Sequence, residues 1–218
     1  MFSSRGTTDI QALEFIPRKK IKMIENYISK FYDYFPGDKP WEIIQNLCEI
    51  ILSKIKNLDE NFEIKDGIAI HKTAIIENNV VIKSPAIIGK NCFIGANSYL
   101  RNGIYLDKNV KIGTGCEVKS SIIFENSAVA HFNFIGDSII GRNVNFEAGS
   151  ITANHYNERQ NKRIFVKIKN KIIDTEIEKF GALVGDNCKI GANAVLSPGT
   201  ILEKETIVKR LELIEQIK

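Results

Sequence analysis

The chain has 218 residues but only four cysteines and three histidines. The cysteines (Cys48, Cys92, Cys116 and Cys188) make no CxxC pair, so neither a zinc ribbon nor a disulfide framework is signalled. No apolar run approaches ~18 residues, which excludes membrane insertion by a spanning helix. The opening MFSSRGTTDI has no signal-peptide core, and the expected location is cytoplasmic. No Gly-rich loop leads into a lysine, as a nucleotide-phosphate cradle would require. Charge of one sign is also missing: the net charge is +4, too small to imply nucleic acid. With 44% hydrophobic and 26% charged residues, the composition is that of an ordinary globular protein.

What is present is a period. From Ile64, an apolar residue lands on every sixth position: Ile64, Ile70, Ile76, Ile82, Ile88, Ile94, Leu100, Leu106, Ile112, Val118, Phe124 and Ala130. At a 44% background, twelve consecutive hits arise by chance about 5 times in 100,000. The count slips inside AVAHFNFIGDSIIG (128–141), running through Ile135 and Ile140 in fives. It resumes with Phe146 and Thr152, and again from Val184 through Ile190, Leu196, Leu202 and Val208.

Three places after the apolar residue, Asn stands at 79, 91, 97, 109, 133, 143, 187 and 193, and Gly at 67, 103, 115, 149 and 199. Both tolerate positive φ, so a tight turn is expected in every hexad. One place further on, small or β-branched residues dominate, with Cys92, Cys116 and Cys188 among them as interior fillers. A six-residue unit that turns once and stacks on its copies makes a parallel β-helix. Three hexads close one coil, and about seven coils at the strand spacing of about 4.8 Å give a prism on the order of 33 Å long. The expected fold is mainly β: a left-handed parallel β-helix, the form hexapeptide repeats build and an exception to the right-handed crossover rule.

The flanks differ. Residues 1–60 read as an N-terminal helical hairpin, with Ile21, Ile24, Ile28 and Phe31 on one face and PGDKP (36–40) as its linker. It is expected to cap the open end of the coil or to pack in an oligomer. The β-helix is assigned to 61–210, with an excursion at 153–183 in which RIFVKIKNKIID alternates like a hairpin turning near Asn170. The tail, 211–218, reads as a short C-terminal helix. Within the excursion, Arg159, Lys162, Arg163, Lys167, Lys169 and Lys171 form a basic stretch without an acid.

Residues eighteen apart lie above one another. The position after each apolar residue stacks Lys65, Lys83, Arg101 and Lys119 on one face. Such neighbours repel by something like 0.8 kcal/mol per pair even in bulk water, and the ladder suggests an anion site, most plausibly for phosphate. The next face carries His71, Gly89, Asp107 and Glu125, and the third carries Glu77, Gly95, Gly113 and His131. His131, above two glycines and beside the slip, is the candidate for chemistry. The slip is expected to reshape the face beside it and turn the histidine into an intersubunit cleft.

YLRNG (99–103), CEVKSS (116–121), AHFNFIGDSIIGRNVNFEAGSITAN (130–154) and KFGALVGDNCKIGANAVLSPGTIL (179–202) resemble the acetyltransferase domain of the bifunctional uridyltransferases that make UDP-N-acetylglucosamine. The resemblance covers about residues 60–205, and FVKIKNKIIDTEIEKFGA looks most like the archaeal-type enzymes. It implies a left-handed β-helix homotrimer that acetylates an amino sugar phosphate such as glucosamine-1-phosphate from acetyl-CoA, without a catalytic metal. His131 matches the general base, Arg101 and Lys119 match residues that hold the sugar phosphate, and Asn145 matches a sugar contact. Asn154 matches a contact near the thioester, and Ala192 matches a small position in the pantetheine groove. Two departures stand out. The family's HxxYxGD tyrosine is Phe134, and the nucleotidyltransferase domain has no counterpart, so acyl transfer alone is expected. Other readings are an acyltransferase for a nucleotide-linked amino sugar and a non-catalytic scaffold. A zinc site would need three histidines to converge, and the three available (His71, His131, His155) lie on poorly matched rungs.

Overall fold

The computed structural model describes residues 23–217. Short strands stack into a left-handed parallel β-helix of about 8 turns. Each coil has three sides. The first carries Val81–Ile82, the starts of Tyr99–Leu106 and Glu117–Ile123, then Phe134–Gly136, Ile151–Thr152, Val195–Leu196 and Leu213–Ile214. The second carries Ile68–His71, Ala86–Ile88, the ends of those same two long strands, Ile139–Ile140, Ala182–Val184 and Thr200–Leu202. The third is a separate seven-stranded ladder from Ile75–Ile76 to Ile207–Val208. The interior is a column of apolar residues, Ile88, Ile94, Leu100, Leu106, Ile112 and Val118 among them, each with no exposed surface. Cys92, Cys116 and Cys188 lie in that column, and burial pushes the Cys92 thiol up to about 12.

The slip in the period lies earlier than the sequence indicates. Leu100 pairs with Val118 and Arg101 with Lys119, but Ile104 then pairs with Ser121 and Leu106 with Ile123. One residue has been lost at Ser120, and a second coil repeats the loss between Ile135 and Ile140. Both shortened sides lie at the corner between the first and second faces. Ile123 and Val129 therefore face inward, where the strict period points to Phe124 and Ala130. The position of the slip is hidden in the sequence because 123–124 and 129–130 are both apolar pairs. The turns shift with it. Phe132 (φ +56°) takes the left-handed position expected of Asn133, whose side chain is buried and donates to the Glu147 carbonyl (2.8 Å) and Ser150 Oγ (2.7 Å).

The ladders change accordingly. Ala130, not His131, stands over Gly113, and His131 follows Thr114. Phe124, not Glu125, stands over Asp107. Ile64 is half exposed in an antiparallel hairpin (Phe62–Lys65 with Ile68–His71), so Lys65 leaves the cation ladder. Lys83, Arg101 and Lys119 remain.

The described part of the N-terminal segment, expected as a helical hairpin, lies along the coil rather than over its open end. It forms 3-10 turns at Ile24–Asn26 and Phe31–Asp33, separated by Lys30 in the left-handed region, then α1 (Pro40–Gln45) and α2 (Leu47–Ile55). Ile24, Ile28 and Phe31 are fully buried, while Ile21 lies outside the described residues. They lie flat on the second face, whose outward residues Ala69, Ile87, Ile122, Ile139, Leu183 and Ile201 are apolar and would otherwise be bare to water. Phe124, displaced outward by the lost residue, makes ring contacts there with Phe31 (5.7 Å) and Tyr34 (5.6 Å). Asp186, 5% exposed, clips the segment down: its carboxylate accepts from the Ser29 N–H (2.9 Å) and the Arg142 N–H (2.9 Å), and its own N–H donates to the Tyr27 carbonyl.

The C-terminal tail is a strand, not a helix. Leu213–Ile214 pairs with Val195–Leu196 because Ile214 occupies the next hexad position after Val208. The Gln216 amide then exchanges two 2.8 Å hydrogen bonds with Ile201, closing the edge as a strand would. The excursion leaves at the first–second corner and carries the antiparallel pair Phe165–Ile168 and Lys171–Asp174.

Asp186→Ala strands buried donors and should cost about 1–3 kcal/mol, read as a lower melting temperature with earlier proteolysis of the 24–35 segment. Asp107 supplies a pH test. Its Oδ2 is buried without a partner, and burial pushes the carboxyl above its ordinary range despite Arg142 and Lys108, with Glu125 adding to the rise. The folded state thus favours the protonated acid. Its contribution is full below the unfolded value and is lost as pH rises through the raised one. Asp107→Asn should raise the melting temperature at neutral pH, with the gain fading towards the ordinary carboxylate range.

Candidate active site

The coil sorts the candidate residues onto two edges of the first face. At the first–second corner stand Arg101, Lys119 and Asn154. Arg101 and Lys119 pair across adjacent strands. Arg101 is held by Glu117 (Nη2 to Oε1, 2.6 Å), a pair about one third exposed. Lys119 Nζ lies 2.5 Å from Asp137 Oδ2, with the two side chains 12% and 9% exposed. Asn154 Nδ2 donates to that same Oδ2 at 2.5 Å. Asp137 therefore joins Lys119 to Asn154, a role the sequence reading did not give it. The only signal was its place in the IGD triplet, and its significance depends on the lost residue that turns the corner there.

At the third–first corner stand His131 and Ala192. His131 is exposed, and Ala192 donates its N–H to Glu147 Oε2 (2.9 Å). The backbones at this corner stack Ala96, Thr114, His131, Ala148 and Ala192, so the histidine has small neighbours above and below along the prism. Gly113 is required beneath its neighbour Ala130: a Cβ there would collide with the Ala130 carbonyl and come 3.0 Å from His131 Nδ1. Asn145 lies one strand away on the third face, exposed and paired with Ala128 and Lys189. Within one chain, His131, Ala192 and Asn145 are thus separated from Lys119 and Asn154 by the width of the first face.

Three further residues stand close to these edges. Phe132 is 72% exposed in a left-handed conformation of the kind that costs on the order of 1–3 kcal/mol. Its ring lies over Gly115, next to His131. His155 stands at the Lys119 corner, with Nδ1 3.2 Å from Asn154 Oδ1. Ser120 is in the left-handed region (φ +45°) and only 9% exposed. It lines a cavity of about 630 Å³ with Asp137, Asn102, Cys48 and Lys179, roofed by α1–α2 and the loop at 176–179. Phe134 lies on the first face itself, its ring 2.7 Å from where a Gly136 Cβ would be.

In the basic stretch, Arg159 is engaged by Glu215 (3.2 Å) and Arg163 by Asp174 (2.9 Å), leaving the lysines as its open charge. The three histidines stand at three different corners. Among the described residues no group of three His, Cys, Asp or Glu side chains is placed to hold a metal ion.

The family comparisons agree with this architecture. Residues 67–102 match the bacterial transferase hexapeptide (six repeats), and residues 181–209 match the hexapeptide repeat of succinyl-transferase. Residues 94–155 match the GMPPB C-terminal domain. The bifunctional sugar-1-phosphate nucleotidylyltransferase/acetyltransferase of Sulfurisphaera tokodaii is 38% identical over 167 residues, covering 74% of this chain and 41% of that protein. The bifunctional protein GlmU of Methanococcus maripaludis strain C7 is 46% identical over 173 residues (78% and 41%), and that of Methanocaldococcus jannaschii is 40% identical over 165 (74% and 40%). This chain spans about two fifths of the length of these relatives. Coil, turns and matches define the class, a hexapeptide-repeat parallel β-helix. Within it, the chain resembles the acetyltransferase domain of the bifunctional GlmU-like proteins.

Proposed function

We propose that this chain is an acetyl-CoA-dependent N-acetyltransferase for an amino sugar phosphate such as glucosamine-1-phosphate. The observation that carries the reading is the first–second corner: two cations on adjacent rungs, with Asn154 tied to one of them through Asp137. Arg101 and Lys119 at one strand spacing suit a phosphate that bridges them. Asn154 would then face the thioester end of the donor, and Ala192, on its small-residue corner, would leave room for the pantetheine arm.

In the proposed step, the substrate amine attacks the thioester carbonyl directly. His131 takes the amine proton, a task suited to an imidazole, and a backbone N–H at a turn stabilises the tetrahedral oxyanion. The C–N bond forms, the C–S bond breaks, and the thiol of coenzyme A leaves with a proton. His131 and Lys119 occupy opposite edges of one face, so the complete site needs two copies. A homotrimer packed through the first faces would bring the His131 edge of one copy to the Lys119 edge of the next. Exposed Val81, Tyr99, Ile151 and Leu213 along that face favour such packing. Phe134, where the resemblance implies a tyrosine, lies beside Asn154 and offers no hydroxyl, which keeps a nucleotide-linked amino sugar open as acceptor.

Thiol release from acetyl-CoA with glucosamine-1-phosphate tests the reading. His131→Ala should lower kcat by about 10²–10⁴-fold with little change in acceptor KM, while His155→Ala stays near wild type. The opposite result moves the base to the Lys119 corner, and no release with any amino sugar phosphate overturns the function. Phe134→Tyr should lower the acceptor KM several-fold if the missing hydroxyl contacts the sugar phosphate. An unchanged KM would show that the acceptor does not reach it.

A further inference from the structure

We propose that Asp137 is the positioning residue of this site, pinning Lys119 and Asn154 together through one carboxylate oxygen. The inference rests on the acetyltransferase reading and deepens it. Three observations carry it. First, Oδ2 lies 2.5 Å from both Lys119 Nζ and Asn154 Nδ2. One atom thus spans three successive coils: Lys119 sits one rung below Asp137 and Asn154 one rung above. Second, the backbone is built for it. Asp137 takes φ +47° on a side shortened by one residue; its N–H donates to the Lys119 carbonyl (2.8 Å), and its carbonyl accepts from Gly181 (2.9 Å). Third, Asp137 is 6% and Asn154 8% exposed, so the carboxylate cannot be exchanged for water.

The two cations therefore play different parts. Arg101 is paired to Glu117, more exposed and readily released to an incoming phosphate. Lys119 stays on Asp137 and offers the phosphate its remaining N–H donors, because leaving Asp137 would strand a buried charge. The two carboxylates should then respond with opposite signs. Glu117 competes with the substrate for Arg101, and Asp137 holds Lys119 ready for it. Asp137 also couples the acceptor side to the donor side, since Asn154 shares the same oxygen.

The experiment measures kcat and both KM values for Asp137→Asn, Glu117→Gln and wild type, with thermal unfolding of each. Asp137→Asn should raise the KM for glucosamine-1-phosphate by roughly tenfold or more and raise that for acetyl-CoA as well. Glu117→Gln should lower the acceptor KM by about two- to fivefold. Asp137→Asn with both KM values within about twofold of wild type, and only a lower melting temperature, overturns the proposal. Should that variant fail to fold, Lys119→Met/Asp137→Asn removes both charges together. Compared with Lys119→Met alone, the second change should leave the acceptor KM unmoved and still raise that for acetyl-CoA; movement of the acceptor KM overturns the pinning. Wild type that turns over no amino sugar phosphate defeats the proposed function, and calorimetry with inorganic phosphate then decides on Asp137. Weaker binding in Asp137→Asn than in wild type supports the pin, and equal binding or none in either overturns it.

Discussion

Everything in this protein hangs on the register between successive coils. Each coil hydrogen-bonds to the next along all three sides, so the number of residues per side sets which side chains face in, which face out and which corner they reach. At eighteen residues per coil the apolar column is simply repeated. Losing one residue at Ser120 advances every later position by one. That change turns Phe124 out onto the second face, Val129 into the core and Phe132 into a strained left-handed turn. The loss at Ser120 so creates the aromatic seat for the N-terminal segment, and with its repeat between Ile135 and Ile140 the sharp corner that holds Lys119 and Asp137.

The two flanking segments answer the same need in different ways. A β-helix has outward faces as well as open ends, and this one has an outer second face too apolar to leave in water. The 24–55 segment covers it through Ile24, Ile28, Phe31, Trp41 and Leu47, with Asp186 and Arg142 fixing its path. Among the described residues no segment covers the first face, and it carries the candidate residues on both its edges. The charges follow that division. Lys119 and Asp137 are buried together at the covered corner, whereas His131 stands exposed at the open one.

Much of this was legible in the chain. The hexad of Ile, Leu and Val fixes the column because only an inward position is apolar coil after coil. Asn79, Asn91, Asn97 and Asn109 mark turns because they tolerate positive φ, and each adopts it. Arg101 and Lys119 could be stacked from spacing alone, since nothing between them disturbs the count. What the sequence could not reveal was where the count changes, because Ile123–Phe124 and Val129–Ala130 satisfy both frames. It misplaced the tail for a related reason: LELIEQIK reads as an amphipathic helix in isolation, but the existing edge at Val195–Leu196 captures Leu213–Ile214 as another rung. Only the tertiary structure decided that Asp137, Lys119 and Asn154 meet. Their contact depends on three coils closing around one shortened corner, and a local pattern cannot carry information about residues that hydrogen bonding brings together from different turns.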